Sequence, residues 1–146
     1  MAIERTFFMI KPDGVKRYLS NLLMSKILGS GFKMIIRRRL QVTMEQAEKL
    51  YAIHKGKPFY DGLIKFIMSG PAIITVLEGE NAVAKIREMM GPTDPRKAPH
   101  GTFRGDNIGE PLLTDDGIIM NICHGSDSVE NAKNEIAVFF NEKDLK

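Results

Sequence analysis

The chain is short of several things on which other kinds of protein are built. It has one cysteine, Cys123, among 146 residues, so no internal disulfide can form and a small secreted scaffold held by cross-links is excluded. Its apolar runs, Phe7–Ile10 and Ala72–Leu77 broken by Thr75, fall far below the roughly 20 residues that cross a bilayer. The first run, preceded by Glu4 and Arg5, is also shorter than the about 7–15 residues of a signal-peptide core. No His/Cys set has zinc-site spacing, and no G-x-x-x-x-G-K-[ST] phosphate loop is present. Gly29-Ser30-Gly31 lacks the third glycine of a dinucleotide fingerprint, Met34 standing in its place. These absences lead to the expectation of a soluble, cytoplasmic chain with no membrane partner.

What is there is globular. A chain of this length suits one domain over residues 1–146 and can bury roughly two-thirds of its unfolded surface; 43% hydrophobic and 27% charged residues agree. The net charge of +3 hides an asymmetry, with residues 1–73 carrying 13 Lys and Arg against 5 Asp and Glu, and residues 74–146 carrying 8 against 13. A basic half raises nucleic acid as a secondary partner. Arg37-Arg38-Arg39, however, lies in a predicted strand, whose alternation splits it between two faces.

Phe7–Ile10 reads as a strand buried on both faces, ended by Pro12. Leu19, Leu22, Leu23 and Ile27 recur at helical spacing up to Gly29. Phe32–Val42 is a second strand; Thr43 and Gln46 form a capping box ahead of Ala47, Leu50 and Tyr51. A short helix carries Leu63, Phe66 and Ile67. Ala72–Leu77 is a third strand, Val83, Ile86 and Met90 a helix ending at Gly91-Pro92, and Ile118–Cys123 a fourth strand. Val129, Ala132, Ile136 and Phe140 form a last amphipathic helix with serines and Asp127 as caps. This order predicts an α+β, ferredoxin-like βαββαβ core, a four-stranded antiparallel sheet with helices packed on one face. RNA-recognition domains share the order, but neither Phe32–Val42 nor Ala72–Leu77 carries their aromatic signature.

Two regions carry chemistry. Gly91–Gly117 is an irregular stretch rich in proline and glycine that holds Thr93, Arg96, His100 and Arg104, and long irregular stretches in compact domains are usually functional; Glu110–Gly117 is polar enough for a protruding hairpin or loop. Asn121-Ile-Cys-His-Gly-Ser-Asp-Ser128 runs from a buried strand into a capped helix. His124 there is readable either as a capping or core residue, or as a nucleophile toward phosphorus. Gly125 allows close approach, and the following helix N-terminus suits phosphate. Strand alternation turns Cys123 away from His124, as a buried and inert thiol. The same alternation would separate Asn121 from His124, unless the strand starts after Asn121 or bulges between the two.

Asn121-x-x-His-Gly-Ser-Asp-Ser, Ile10-Lys-Pro-Asp-Gly-Val15, Gly91-Pro-Thr-Asp-Pro95 and Gly101-Thr-Phe-Arg-Gly-Asp106 together resemble the nucleoside diphosphate kinase family over essentially the whole chain. The resemblance implies that His124 takes the γ-phosphoryl group of a nucleoside triphosphate and passes it to a nucleoside diphosphate, with Glu135 bonding one imidazole nitrogen so that Nδ1 attacks. It implies Lys11 and Asn121 at the ribose hydroxyls and nearby phosphate oxygens, and Phe59 stacked on the base. Arg87, Thr93 and Arg104 would hold the β- and γ-phosphates, with Tyr51 lining the site beside Lys11. It further implies Mg²⁺ bound mainly through nucleotide phosphates, broad base specificity and a homo-oligomer, a hexamer ahead of a tetramer. The segment between Arg104 and Asn121 is longer than the resemblance leads one to expect. A nucleotide-binding protein without turnover stands as the alternative. On this reading Arg104→Ala lowers kcat and leaves the fold intact.

Overall fold

In a computed structural model, which describes residues 2–146, β1 (Ile3–Ile10) occupies the middle of a four-stranded sheet. It pairs antiparallel with β3 (Pro71–Glu80) on one side and with β4 (Cys123–Gly125) on the other. The edge strand β2 (Lys33–Gln41) pairs antiparallel with β3, giving the order β2-β3-β1-β4. This is the ferredoxin-like arrangement expected from the order of elements.

The run Phe7-Phe8-Met9-Ile10 shows why β1 must be central. Successive side chains of a strand point to opposite faces, and all four are completely buried. Phe8 and Ile10 pack with Leu23 and Ile27 of α2 (Ser20–Gly29) and with Ile86 and Met90 of α5 (Ala82–Met90). Phe7 and Met9 pack with Leu50 of α3 (Met44–Leu50), Ile64 and Ile67 of α4 (Tyr60–Ile67), and Ile136 of α7 (Val129–Phe139). Helices therefore cover both faces of the sheet, not one. A strand apolar on both sides requires this, because each exposed side chain of this size would forgo about 1.5–3 kcal/mol of burial.

Local signals set most boundaries. Thr43 and Gln46 form the expected reciprocal cap on α3, Gly91 ends α5 with φ at 82°, and Ser128 Oγ accepts from the Asn131 N–H at the start of α7. Asp127 instead accepts from the Asn131 side chain. A five-residue helix, α1 (Pro12–Lys16), follows β1 directly and starts with proline at its first position. Apolar periodicity gave no sign of so short a helix.

The irregular stretch is more structured than its composition suggests. Thr102 Oγ1 accepts from the Gly105 N–H and caps α6 (Phe103–Asp106), and Phe103 is buried edge-on against Phe8. Residues 112–120 form a small hairpin, with Leu113 bridged to Ile119 and Gly117 at φ 79° in its turn. This corrects the fourth strand: Ile118–Met120 belongs to the hairpin, and β4 starts only at Cys123.

Phe8→Ala removes a ring from a site with no exposure, and we expect a loss of about 3–5 kcal/mol in urea unfolding.

Candidate active site

β4 places His124 opposite Met9 of β1, with its ring near Phe7 and edge-on to Tyr51 at 6.0 and 6.3 Å between centroids. Its Nε2 meets Glu135 Oε1 at 2.5 Å, and Ser126 Oγ donates to the same oxygen at 3.0 Å. Glu135 lies on α7, two helical turns in, so the helix that follows the histidine folds back to hold it. A carboxylate on Nε2 favours the tautomer with the proton there and the lone pair on Nδ1. No hydrogen bond from the described residues engages Nδ1. Ser126, which the sequence reading counted with Ser128 among the helix caps, instead steadies the carboxylate, and only Ser128 caps the helix.

Four cationic or polar side chains converge next to it. Lys11 is buried and its Nζ donates to Asn121 Oδ1 at 2.9 Å, while Asn121 Nδ2 donates to the Thr93 carbonyl. Burial, and then the charge of Arg104, push the Lys11 ammonium down to about 8; Asp13 works against both. Arg87 donates to the Gly125 carbonyl, beside His124.

Arg104 is committed more deeply than a phosphate ligand alone would be. Its Nε donates to Asn121 O at 3.1 Å, one terminal nitrogen to Gly91 O at 3.0 Å and the other to Cys123 O at 2.7 Å. It is buried, and burial lowers its pKa. A guanidinium has five N–H groups, so each terminal nitrogen retains one for a ligand. Arg104 thus ties its own segment to Gly91 and to the Asn121–Cys123 turn, a structural role that the sequence reading did not assign to it.

Tyr51 is buried at the C-terminal end of α3, its hydroxyl without a partner among the described residues, and burial and then Glu135 raise its pKa. Phe59, at the start of α4, is 43% exposed and edge-on to His54 at 5.2 Å. His54 was not anticipated. It joins Phe59 to Tyr51 through ring contacts, and burial, then Lys57 and His124, lower its pKa. Its aromatic neighbours lie close in sequence, but nothing in the spacing singled it out.

Some expected features went elsewhere. Arg96 is folded onto Asp94, and His100 is fully exposed near Asp106, so neither joins this cluster. Gly125 lies under α5: a Cβ there would meet Met90 Sδ at 2.6 Å, so the Met90 side chain would have to shift. Cys123 faces the opposite side of the sheet, among Ile10, Ile86 and Met90, and burial pushes its thiol up to about 11. The parity conflict between Asn121 and His124 is resolved at Ile122. Its φ is 63° and the Cys123 N–H donates to Asn121 O at 2.8 Å. That three-residue γ-turn reverses the alternation just before β4 begins.

A ferredoxin-like sheet whose edge strand holds a carboxylate-bonded imidazole, with Arg104 and Arg87 donating to the carbonyls of the residues on either side of it and Lys11 bonded to Asn121, carries the kind of donors that suit phosphate oxygens. Comparison with known proteins points the same way. The family model described as nucleoside diphosphate kinase matches residues 4–145. A nucleoside diphosphate kinase of Methylobacterium radiotolerans is 47% identical over 99% of each chain. Among solved structures, the Halobacterium salinarum nucleoside diphosphate kinase in complex with CDP is 39% identical with TM-score 0.86, over 99% of this chain and 92% of that one. The Borrelia burgdorferi enzyme, a transition-state mimic with bound vanadate and ADP, is 29% identical with TM-score 0.89, over 99% and 90%. The chain belongs to the nucleoside diphosphate kinase family, enzymes of phosphoryl transfer between nucleotides.

We expect Arg104→Ala to lower the melting temperature clearly as well as turnover. It takes the Arg104 donor from the buried Cys123 carbonyl, and an unmet buried acceptor costs about 1–3 kcal/mol. Thermal melts of the variant and of Arg104→Lys test this; a melt equal to that of the unaltered protein removes the structural role.

Proposed function

We propose that this chain transfers the γ-phosphoryl group of a nucleoside triphosphate to a nucleoside diphosphate in two half-reactions through His124. The carrying observation is the Ser126–Glu135–His124 chain, which occupies Nε2 and leaves Nδ1 unengaged. In the first half-reaction the Nδ1 lone pair attacks the γ-phosphorus. A phosphorus–nitrogen bond forms, the bond to the β-phosphate bridging oxygen breaks, and the diphosphate leaves with the electron pair. In the second, a terminal oxygen of another diphosphate attacks the same phosphorus and His124 regains its lone pair. Glu135 balances the charge that develops on the ring, the role a carboxylate plays beside a catalytic imidazole elsewhere.

Transfer of this kind depends on alignment and on charge at the transferring oxygens. Arg87 and the free N–H groups of Arg104 suit the β- and γ-phosphates, with Thr93 beside them; Lys11 and Asn121 reach the ribose hydroxyls and the nearest phosphate oxygens. Tyr51 walls the histidine. Phe59, an exposed ring, offers a face on which any base can stack, which supports broad base specificity. The CDP of the Halobacterium salinarum structure and the ADP of the Borrelia burgdorferi structure support the same substrate class here.

Magnesium is implied by the family. Lys11, Arg87, Arg104 and Asn121 are donors to phosphate oxygens and are not metal ligands, and among the described residues no group of three His, Cys, Asp or Glu side chains could hold a metal ion. Such a donor set fits a divalent ion carried on the nucleotide's own phosphates. Bound there, it would neutralise phosphate charge. A cytoplasmic homo-oligomer, hexameric ahead of tetrameric, completes the proposal; sedimentation tests the assembly. No helix among the described residues is long and apolar enough to cross a membrane.

Incubation with γ-labelled ATP is expected to place acid-labile label on His124, discharged by any nucleoside diphosphate. Absence of label, or label that survives His124→Ala, rejects the mechanism. A second outcome concerns pH. Lys11 is charged below about 8 and neutral above it, so kcat/KM, which reports the free enzyme, should fall as pH rises through about 8. Lys11→Arg, which keeps its charge, should lack that limb; an unchanged limb would assign it to another group.

A further inference from the structure

Asp13 is 8% exposed, sits on the first turn of α1 and was not among the residues expected at the site. One carboxyl oxygen, Oδ2, accepts from the Ile122 N–H at 2.9 Å; the other has no partner among the described residues. A buried carboxylate is costly, and burial does raise its pKa, against the pull of Lys11 and of the N–H groups of Ile122 and Gly14. The site therefore keeps a group that packing alone disfavours, and its bond falls on the one residue that matters for the geometry of the turn. Ile122 is β-branched and held at φ 63°, a region that such residues avoid at a cost of order 1–3 kcal/mol.

The rest of the α1 start presses on the same peptide. The Lys11 N–H donates to Ile122 O at 2.8 Å, and a Cβ on Gly14 would meet that oxygen at 2.8 Å and Ile10 Cγ2 at 2.8 Å. The peptide groups flanking the Ile122 Cα are thus gripped on both sides, N–H by Asp13 and C=O by Lys11. The turn so held puts the Asn121 side chain on Lys11 and, after one residue, His124 on Glu135. An unbroken strand would put Asn121 and His124 on opposite faces.

We propose that Asp13 is a positioning residue of this enzyme: its buried carboxylate holds the Ile122 peptide in the turn that brings Asn121 and His124 onto one side of the sheet. The proposal rests on the reading of His124 as the phosphorylated residue. It has a second consequence, since Asp13 also faces Lys11. The charge of Lys11 is opposed by burial and Arg104 and favoured by Asp13 and Cys123, so loss of the Asp13 charge makes Lys11 easier to deprotonate.

Two substitutions separate these effects. Asp13→Asn keeps an acceptor for the Ile122 N–H, and no donor opposes its amide at the unpartnered position; it removes the charge. Asp13→Ala removes both. In the full chain, folded by circular dichroism, the rate of His124 labelling by γ-labelled ATP at pH 7 should drop at least ten-fold in Asp13→Ala, and Asp13→Asn should recover most of that loss. The alkaline fall of kcat/KM in Asp13→Asn should move to lower pH. An Asp13→Ala protein labelled at the full rate, or an Asp13→Asn protein as slow as Asp13→Ala, overturns the proposal. If Asp13→Ala does not fold, Asp13→Asn decides alone: near-normal labelling with a shifted alkaline limb supports it, and an unshifted limb overturns it. Failure to label the unaltered protein overturns the phosphohistidine reading itself.

Discussion

The backbone at Ile122 takes a conformation that a β-branched residue resists, and much of the candidate site hangs from it. Three buried groups from distant parts of the chain hold this turn: the Lys11 N–H on Ile122 O, the Asp13 carboxylate on Ile122 N–H, and the Arg104 guanidinium on the carbonyls of Asn121 and Cys123 to either side. Strained backbone persists only where its surroundings over-determine it. Here the groups that do so are also the cations of the site, or lie next to them. Stability and the geometry of the candidate site are therefore not separable at Lys11 and Arg104.

The electrostatics follow from the same crowding. Lys11 and Arg104 are buried and each lies within reach of the other's charge, which helps to hold the ammonium down to about 8. Water does little to screen such a buried pair. Preorganised charge of this sort is what phosphoryl transfer uses, because developing charge on the transferring oxygens then meets fixed donors without reorganisation. The lopsided charge of the sequence has a different origin. Arg37, Arg38 and Arg39 lie on the edge strand β2, where Arg38 pairs with Asp144 and lies over Phe140. The cations of the candidate site come from both halves of the chain.

The site is framed by a sheet sealed on both faces. Because β1 is buried on either side, Met9 and its neighbour His124 look toward α3 and α7, while Cys123 looks toward α2 and α5. One strand thus gives the imidazole and the thiol opposite surroundings. The stretch between α5 and β4 closes the open end, with Phe103 buried on Phe8 and Arg104 directed inward from the next position. A single turn of helix is enough to aim both, one into the core and one at the backbone of the site.

By itself the sequence determined the order of the strands and longer helices, the burial of Phe7–Ile10 on both faces, the capping box at Thr43, and the family, through four motifs in order. Those are local or periodic signals, carried by short-range sterics and by which side chains must leave water. It also pointed to His124 with Glu135, to Lys11 with Asn121, and to the need for a break between Asn121 and His124. Only the tertiary structure decided how that break is made, where β4 begins, that helices lie on both faces, and that Asp13, Ser126 and His54 stand beside the site. It also decided that Arg104 is part of the frame. Each of those depends on contacts between residues far apart in the chain, such as Asp13 with Ile122 and Arg104 with Cys123. No spacing in the sequence encodes such contacts, because they exist only once loop closure has brought the segments together.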